Sequence, residues 1–423
     1  KNPYAIIALG GYGRQEQCTH SDVDLLFLFE KRVPPEAEEL IREVVYPLWD
    51  IGLDVGHATR SLKECLKLAS QDYEVLTSLL DARFICGYSP LYMSLMEQEH
   101  ARIISQRPGK MTTWLIESNR ERHERFGDSA YLLEPNLKEG QGGLRDYHTM
   151  SWVARIKSDI RERRDLEFYG YLSHDEYLGL EKALAFIWHV RNRLHQLMGR
   201  KVDQLHLEHQ MKLAAAMGIE STKGYQPVEI LMGQLHEHME FVKQRHNLFL
   251  YELEQKKRLK RKNKQLKNTE VPGLKFNRGM LNFSAPQVIV KRPRLLLEIF
   301  LESALKKAPL NAEARRLVKD LGHLVDEAYR RDPENVRIFE KILAKPVQRF
   351  NVLNEMLNTG FLARFLPEFE AVIHRIQFDQ YHLYPVGRHS LRTVRLLKTL
   401  GSRDHAEKDA LSYQVYREIK QRK

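Results

Sequence analysis

A carboxylate set inside an apolar strand limits what this chain can build. Val23–Phe29 is apolar throughout except for Asp24, and a charge in such a place is costly without a partner or a bound cation. A second strand-like run, Tyr4–Leu9, ends at Gly10-Gly11-Tyr12-Gly13-Arg14, and turn-forming residues from Thr19 to Asp22 lead into the first. Glycines at a strand end let backbone N–H groups approach a ligand closely, and the start of a following helix offers unpaired amides to an anion. Asp22 and Asp24 are two apart, so on a strand their side chains leave the same face, where two carboxylates repel unless a cation lies between them. Gly10 and Gly11 therefore read as a phosphate seat. Asp22 and Asp24 read as a magnesium-binding pair, because Mg2+ commonly takes one or two carboxylates together with substrate phosphates. Asp54, between Leu53 and Val55 on another short extended segment, is a third carboxylate whose apolar neighbours are expected to point into the core. Three acids beside a glycine seat describe a two-metal site. Taken singly, each half has an ordinary reading: Gly-Gly is a turn and Ser-Asp a turn terminator. A Walker-type phosphate loop is absent, and Gly11-Tyr12-Gly13 lacks the third glycine of a dinucleotide fingerprint.

Around the motif the order is strand, turn, strand, helix (Glu36–Trp49), strand, and from Leu62 the pattern becomes helical. Leu132 to Asp146 interrupts it with Pro135, Gly140, Gly142 and Gly143. Helices are predicted over Ser173–Leu197, Gln204–Met217, Pro227–Gln255, Arg294–Leu305, Ala312–Arg331, Asn335–Leu343 and Val347–Asn358, with Lys267 to Leu281 as a linker. The fold class is α+β. A small α/β domain over 1–110 leads into a helical domain over 111–255 that holds the glycine-rich loop 132–146; a basic linker, 256–281, and a helical region, 282–423, follow.

Composition narrows the function. No apolar run approaches the roughly 18 residues that cross a bilayer, so no membrane partner is expected. Cys18, Cys65 and Cys86 show no CxxC spacing, which argues against a disulfide framework or thiolate zinc site and suits a reducing, cytoplasmic setting. Of the net charge of +11, eight positive residues lie between Lys256 and Lys267 with no acid among them, so nucleic acid is an unlikely partner. That run reads as a solvated helix end or linker, with an anion-binding tail as the alternative. His174-Asp175 falls in Ser173-x-x-Glu176, a helix capping box, and His206, His209, His236 and His238 lack metal-site spacing. The chain starts at Lys1 and a strand follows almost at once, so it reads as a fragment without a signal peptide.

Gly-Gly-Tyr-Gly-Arg with Ser21-Asp22-Val23-Asp24-Leu25-Leu26 resembles the nucleotidyltransferase signature of the DNA polymerase β superfamily, in the form found in bacterial PII uridylyltransferase/uridylyl-removing enzymes. Leu53-Asp54-Val55-Gly56-His57 is similar to that family's third-carboxylate segment, and Glu134 to Asp146 to its glycine-rich segment. Arg191–Arg200, Phe365–Phe369 and Tyr381–Val386 continue the likeness, which covers most of the chain.

The resemblance implies a polymerase-β-like nucleotidyltransferase domain followed by a mostly all-α body. It implies transfer of UMP from UTP to a tyrosine of a PII signalling protein in nitrogen regulation, with Mg2+ or Mn2+ as cofactor. Asp22 and Asp24 would hold the metal with Asp54, which would also assist the acceptor hydroxyl. Gly10, Gly11, Arg14, Ser21, Lys138 and Arg145 would bind nucleotide, although Arg145 and Asp146 could instead pair together or cap the next helix. The helical body from Met150 to about Gln255 would present the acceptor protein. Two rivals stand beside this reading: an adenylyltransferase of the same superfamily acting on glutamine synthetase, and a non-catalytic nucleotide-binding fragment. The family also carries an HD-type phosphohydrolase domain. His389 resembles its first ligand, but Gly387 replaces a usual acid, and Asp404-His405 is the only downstream doublet candidate and is in the wrong order. Uridylyl removal and glutamine sensing through ACT domains are therefore not expected of this chain.

Overall fold

The computed structural model describes residues 2–126, 133–160, 162–222, 224–261, 269–277, 279–345, 352–373, 386–400 and 409–419. Two compact units emerge, Lys1–His246 and Asn247–Lys423.

In the first unit a mixed sheet has the order β3-β2-β1-β4, built from β1 (Tyr4–Leu9), β2 (Val23–Phe29), β3 (Val55–Ser61) and β4 (Arg83–Gly87). β1 and β2 are antiparallel with Ile7 opposite Leu26 and Leu9 opposite Asp24. β3 runs parallel to β2, with Val23 opposite Val55 and Asp24 opposite Gly56; the crossover between them carries a helix, as a parallel pair requires. One face of the sheet, with Ile6, Val23, Leu25, Phe27 and Phe29, packs on Ala37 and Val45 of that helix. Ala5, Ile7, Leu26 and Leu28, on the other face, are fully buried too. Burial on both faces explains why these strands read as unbroken apolar runs rather than alternating ones, and why Asp24 stands out.

The helices of this unit are α1 (Gly10–Gly13), α2 (Ala37–Asp50), α3 (Leu62–Gln71), α4 (Tyr73–Leu80), α5 (Ser89–Glu99), α6 (Pro108–Phe126), α7 (Leu144–Ser158), α8 (Asp165–Phe168), α9 (His174–Met198) and α10 (Leu207–Ala216). α11 (Pro227–Arg261) crosses the boundary between the units. Side-chain caps fix several of their starts: Ser61 and Glu64 form a capping box on α3, and Asp72 accepts from the Glu74 and Val75 amides of α4. Ser173 and Glu176 form the expected box on α9, so His174-Asp175 is part of a helix start. No described helix is long and apolar enough to cross a membrane.

Several expectations need correction. The helical pattern from Leu62 is broken by β4, an edge strand whose five residues are half-buried or exposed and show no alternation to read. β3 begins at Val55, so Asp54 precedes the strand; Val55 is buried as expected, but Leu53 is 39% exposed. The segment expected as a linker contains a hairpin of β5 (Leu274–Asn277) and β6 (Met280–Phe283). Its short strands are bounded by the turn residues that suggested a linker. The basic stretch from Lys262 to Lys267 lies outside the described residues.

The second unit packs α12 (Pro286–Lys291), α13 (Leu295–Lys306), α14 (Ala312–Asp320), α15 (Glu327–Arg331), α16 (Pro333–Ala344), α17 (Val352–Asn358), α18 (Phe361–Phe365) and α19 (Glu370–Ile373) with the hairpin. Its core gathers Leu296, Phe300, Ile342, Met356 and Phe361. The helix predicted over Ala312–Arg331 is divided, because a 3-10 turn at Leu321–Leu324 ends α14 and Asp326 caps α15. α20 (Val386–Leu400) and α21 (Ala410–Glu418) follow. His389 is an exposed residue of α20. Tyr381 to Pro385 and Asp404-His405 lie outside the described residues.

Candidate functional site

The motif, α4, the glycine-rich loop, α7 and α9 enclose a cavity of about 210 Å³. Gly10, Gly11, Arg14, Ser21, Asp22, Asp24, Lys138 and Arg145 all line it, as do Glu16, Asp81, His148, Trp152, Trp188, Arg191 and Lys201. Asp54 does not.

The strand register places the acids. Leu9 opposite Asp24 brings the turn at Gly10 beside the carboxylate, and Gly10 takes a left-handed φ of +53°. A Cβ on Gly10 would stand 3.1 Å from Asp24 Oδ2, and one on Gly56 would stand 3.1 Å from Oδ1, so the carboxylate lies between two side-chain-free positions. Burial raises the Asp24 carboxyl above its ordinary value; Asp22 and Asp54 push the same way, against Lys201 and Lys138. Asp54 is exposed, and its carbonyl accepts from the Val23 amide at 2.7 Å. Its charge thus acts on Asp24 from outside the cavity lining.

The opposing wall is cationic. The Lys201 ammonium binds the Asp22 carboxylate. Lys138 and Arg145 come from the loop, whose turn is set by Asn136 Oδ1 accepting from the Lys138 and Glu139 amides at 3.1 and 2.7 Å. Burial and Arg145 lower the Lys138 ammonium, partly offset by Glu139. Arg145 pairs with Glu139 at 3.1 Å and lies over the Trp152 ring. Asp146 takes different partners: Arg122, His123 at 2.7 Å and the Gly142 amide at 2.7 Å. Arg145 and Asp146 therefore do not pair with each other. Gly142 lets the loop lie against α11, since at φ +79° its Cβ would meet the Met239 carbonyl oxygen at 2.0 Å. The cations of the loop reach the cavity; its glycines let the backbone close up.

Several lining residues carried no local signal. Arg191 of α9 reaches Ser21 Oγ at 3.5 Å and Asp203 at 2.7 Å, and Asn192 accepts from the Thr19 amide at 2.9 Å. α9 thus clamps the turn ahead of β2. Arg14, expected to meet nucleotide, lines the cavity with its guanidinium held by Glu16 at 2.8 Å and by Asp81. Burial disfavours the charge on Glu16, but His148 and Arg14 outweigh it and hold the carboxyl down at about 2. The signal for these residues was tertiary: Arg14 and Asp81, or Glu16 and His148, meet only after folding.

The donor set fits a hard divalent cation. Asp22 and Asp24 supply carboxylate oxygens, and an ammonium already answers their charge. Among the described residues no group of three or more His, Cys, Asp or Glu converges as a ligand set. A cation here would therefore take Asp22 and Asp24 and complete its shell with phosphate and water, the habit of Mg2+.

Residues 112–250 match the family model described as GlnD PII-uridylyltransferase, and residues 275–365 match that described as uridylyltransferase GlnD third domain. Curated relatives named bifunctional uridylyltransferase/uridylyl-removing enzyme align with nearly the whole chain. That of Cereibacter sphaeroides is 36% identical over 413 residues, covering 96% of this chain and 44% of its own length. That of Ruegeria pomeroyi is 33% identical over 398 residues, with 92% and 43% covered. That of Methylococcus capsulatus is 34% identical over 421 residues, with 98% and 47% covered. The chain therefore spans a little under half the length of these relatives.

Proposed function

Because the chain belongs to the GlnD PII-uridylyltransferase family, we propose that it transfers UMP from UTP to a tyrosine hydroxyl of a PII signalling protein, releasing pyrophosphate, in the regulation of nitrogen metabolism. The observation that carries this reading is the Asp24 carboxylate set between Gly10 and Gly56 in a cavity that also holds Asp22 and is faced by Lys138, Arg145 and Lys201.

In this reading the acceptor oxygen forms a bond to the α-phosphorus and the bond from that phosphorus to the bridging oxygen of the β-phosphate breaks. A tyrosine hydroxyl, with a pKa near 10, is a weak nucleophile until its proton is drawn off. Asp54, exposed just ahead of β3 and near enough to act on Asp24, takes that proton. Lys138, Arg145 and Lys201 hold the triphosphate oxygens and take up charge on the leaving pyrophosphate. Gly10, Gly11 and Ser21 seat the β and γ phosphates, and Arg14 keeps their turn in place through Asp81. Mg2+ or Mn2+, when bound at Asp22 and Asp24, supplies further neutralisation of the phosphate charge.

The free thiols Cys18, Cys65 and Cys86 support a cytoplasmic location. His389 on α20 marks the proposed start of an HD-type region. The test of the function is incubation with a PII protein and UTP labelled on either the α or the γ phosphate. Label on the PII tyrosine from the α position alone supports the reading; label from the γ position, or none from either, overturns it.

A further inference from the structure

Ser21 lines the cavity with a hydroxyl whose acceptor positions are taken. Its Oγ accepts from the Cys18 amide at 3.0 Å and, in a long bond, from Arg191 Nη1 at 3.5 Å, while the Ser21 amide donates back to the Cys18 carbonyl at 2.9 Å. A hydroxyl has one proton and two lone pairs. With both lone pairs occupied, the proton is left to donate, and among the described residues nothing accepts it.

Arg191 of α9 lines the same cavity and also has donors left over. Its Nε–H goes to Asp203 Oδ1 at 2.7 Å and one Nη1–H to Ser21, whereas the guanidinium carries five N–H groups in a rigid planar fork. Even with the Cys18 thiol beside it, N–H groups of the fork remain unused. The Arg191 side chain is 5% exposed, so a donor on the cavity side has little bulk water to turn to.

Asp203 fixes the heading of that fork. Its carboxylate takes Arg191 at 2.7 Å and His195 at 3.3 Å on the same oxygen. Burial would raise the carboxyl, but His195 and Arg191 outweigh that and hold it well below the ordinary range, so it stays an anion. The backbone of Asp203 is held as well. Its carbonyl accepts from the Leu137 amide at 2.8 Å, and the Leu205 amide donates to the Pro135 carbonyl at 3.0 Å. The segment that carries Asp203 is thereby tied to the glycine-rich loop next to Lys138. A planar guanidinium gripped at Nε by a carboxylate so anchored has its remaining N–H directions set.

We infer that Arg191 belongs to the phosphate seat, binding one oxygen of the β or γ phosphate together with the Ser21 hydroxyl, and that Asp203 is the residue that positions it. The inference rests on the uridylyl reading above and adds to Lys138, Arg145 and Lys201 a cation contributed by α9. Arg191 Nη1 and Ser21 Oγ stand 3.5 Å apart, so a phosphate oxygen about 2.8 Å from each lies within reach of both donors. Lysine at this position can answer Asp203 or the phosphate, but it lacks the fork that serves both.

The test is equilibrium binding of UTP and UMP, with Mg2+ present, to the native chain, to Arg191→Gln, to Asp203→Asn and to the double variant, with thermal unfolding as a check on folding. UMP lacks the two phosphates that the seat holds. Arg191→Gln is expected to weaken UTP binding about tenfold or more, the loss of a hydrogen bond between charged groups, and to leave UMP binding unchanged. Asp203→Asn is expected to weaken UTP binding several-fold, again without effect on UMP. The double variant is expected to bind UTP no more weakly than Arg191→Gln, because Asp203 acts through Arg191. If the native chain prefers UTP to UMP and Arg191→Gln keeps the native affinity, or loses UTP and UMP equally, the inference is overturned and the uridylyl reading survives. A double variant weaker than Arg191→Gln by the full Asp203→Asn factor overturns the positioning role of Asp203. If the native chain binds UTP no better than UMP, both the inference and the uridylyl reading fall. Should Arg191→Gln fail to fold, Arg191→Lys decides by the same comparison: weakened UTP with unchanged UMP supports the inference, and native affinity for both overturns it.

Discussion

The Lys201 ammonium rests on the Asp22 carboxylate, across 179 residues of sequence. Both side chains are a little under two-fifths exposed, so the pair contributes no more than about 1 kcal/mol. Lys201 holds the charge that a divalent cation would compensate. Lys201→Met, which keeps the apolar stem, is expected to bind Mn2+ a few-fold more tightly in the absence of nucleotide, read from the electron paramagnetic resonance of free Mn2+. With nucleotide present the variant loses a triphosphate contact, so its KM for UTP rises. Unchanged Mn2+ affinity would show that Asp22 takes no part in binding the cation.

Asp146 is fully buried under the loop that carries Lys138 and Arg145. Burial would raise its carboxyl, but His246, His123 and Arg122 outweigh that and hold it well below the ordinary range. A carboxyl depressed in the folded state contributes stability that is complete above its unfolded value, near 3.9, and drains away as pH falls toward the folded value. Asp146→Asn is expected to cost about 3–5 kcal/mol at neutral pH, because it leaves the largely buried Arg122 with only Glu139, at 4.0 Å, as a counter-charge. Its unfolding temperature should also change less than the native one between neutral pH and pH about 3. Thermal unfolding followed across that range reads both effects; a variant as acid-sensitive as the native chain would contradict the assignment.

The motif glycines separate into two kinds. A Cβ on Gly13 would lie 1.9 Å from the Asp81 carbonyl oxygen, whereas one on Gly11 meets nothing closer than Arg14 Nη2 at 4.0 Å. Gly13→Ala is therefore expected to destabilise the fold by about 1–3 kcal/mol. Gly11→Ala should leave stability unchanged or slightly higher, since alanine is the better helix former, while raising the KM for UTP as its methyl group enters the phosphate seat. Equal effects of the two substitutions on stability and KM would count against Gly11 as part of that seat.

What the sequence revealed of the site was what is local in it. Gly10, Asp22 and Asp24 sit at the ends of adjacent apolar strands, and a carboxylate within a run buried on both faces is visible without a structure. The glycines that break a helical pattern marked the loop, and Lys138 and Arg145 within it stood out through its likeness to a family segment. Lys201, Arg191 and His148 did not, since each lies in an ordinary helical or turn context and acquires its role only when α7 and α9 pack over the motif. β4 was hidden for a related reason: an edge strand that is half-exposed on both faces leaves neither alternation nor an apolar run. The capping box at Ser173 was readable because both partners lie within one turn.

In the proposed reaction Asp22 and Asp24 gather a divalent cation onto a bound triphosphate. Crystals of the chain soaked with Mn2+ and a non-hydrolysable UTP analogue, with diffraction recorded at the manganese absorption edge, test it directly. An anomalous peak is expected between the two carboxylates and the phosphates, at roughly 2.0–2.2 Å from the oxygens, as hard octahedral ions bind. Well-ordered nucleotide in the cavity with no such peak between Asp22 and Asp24 would contradict it.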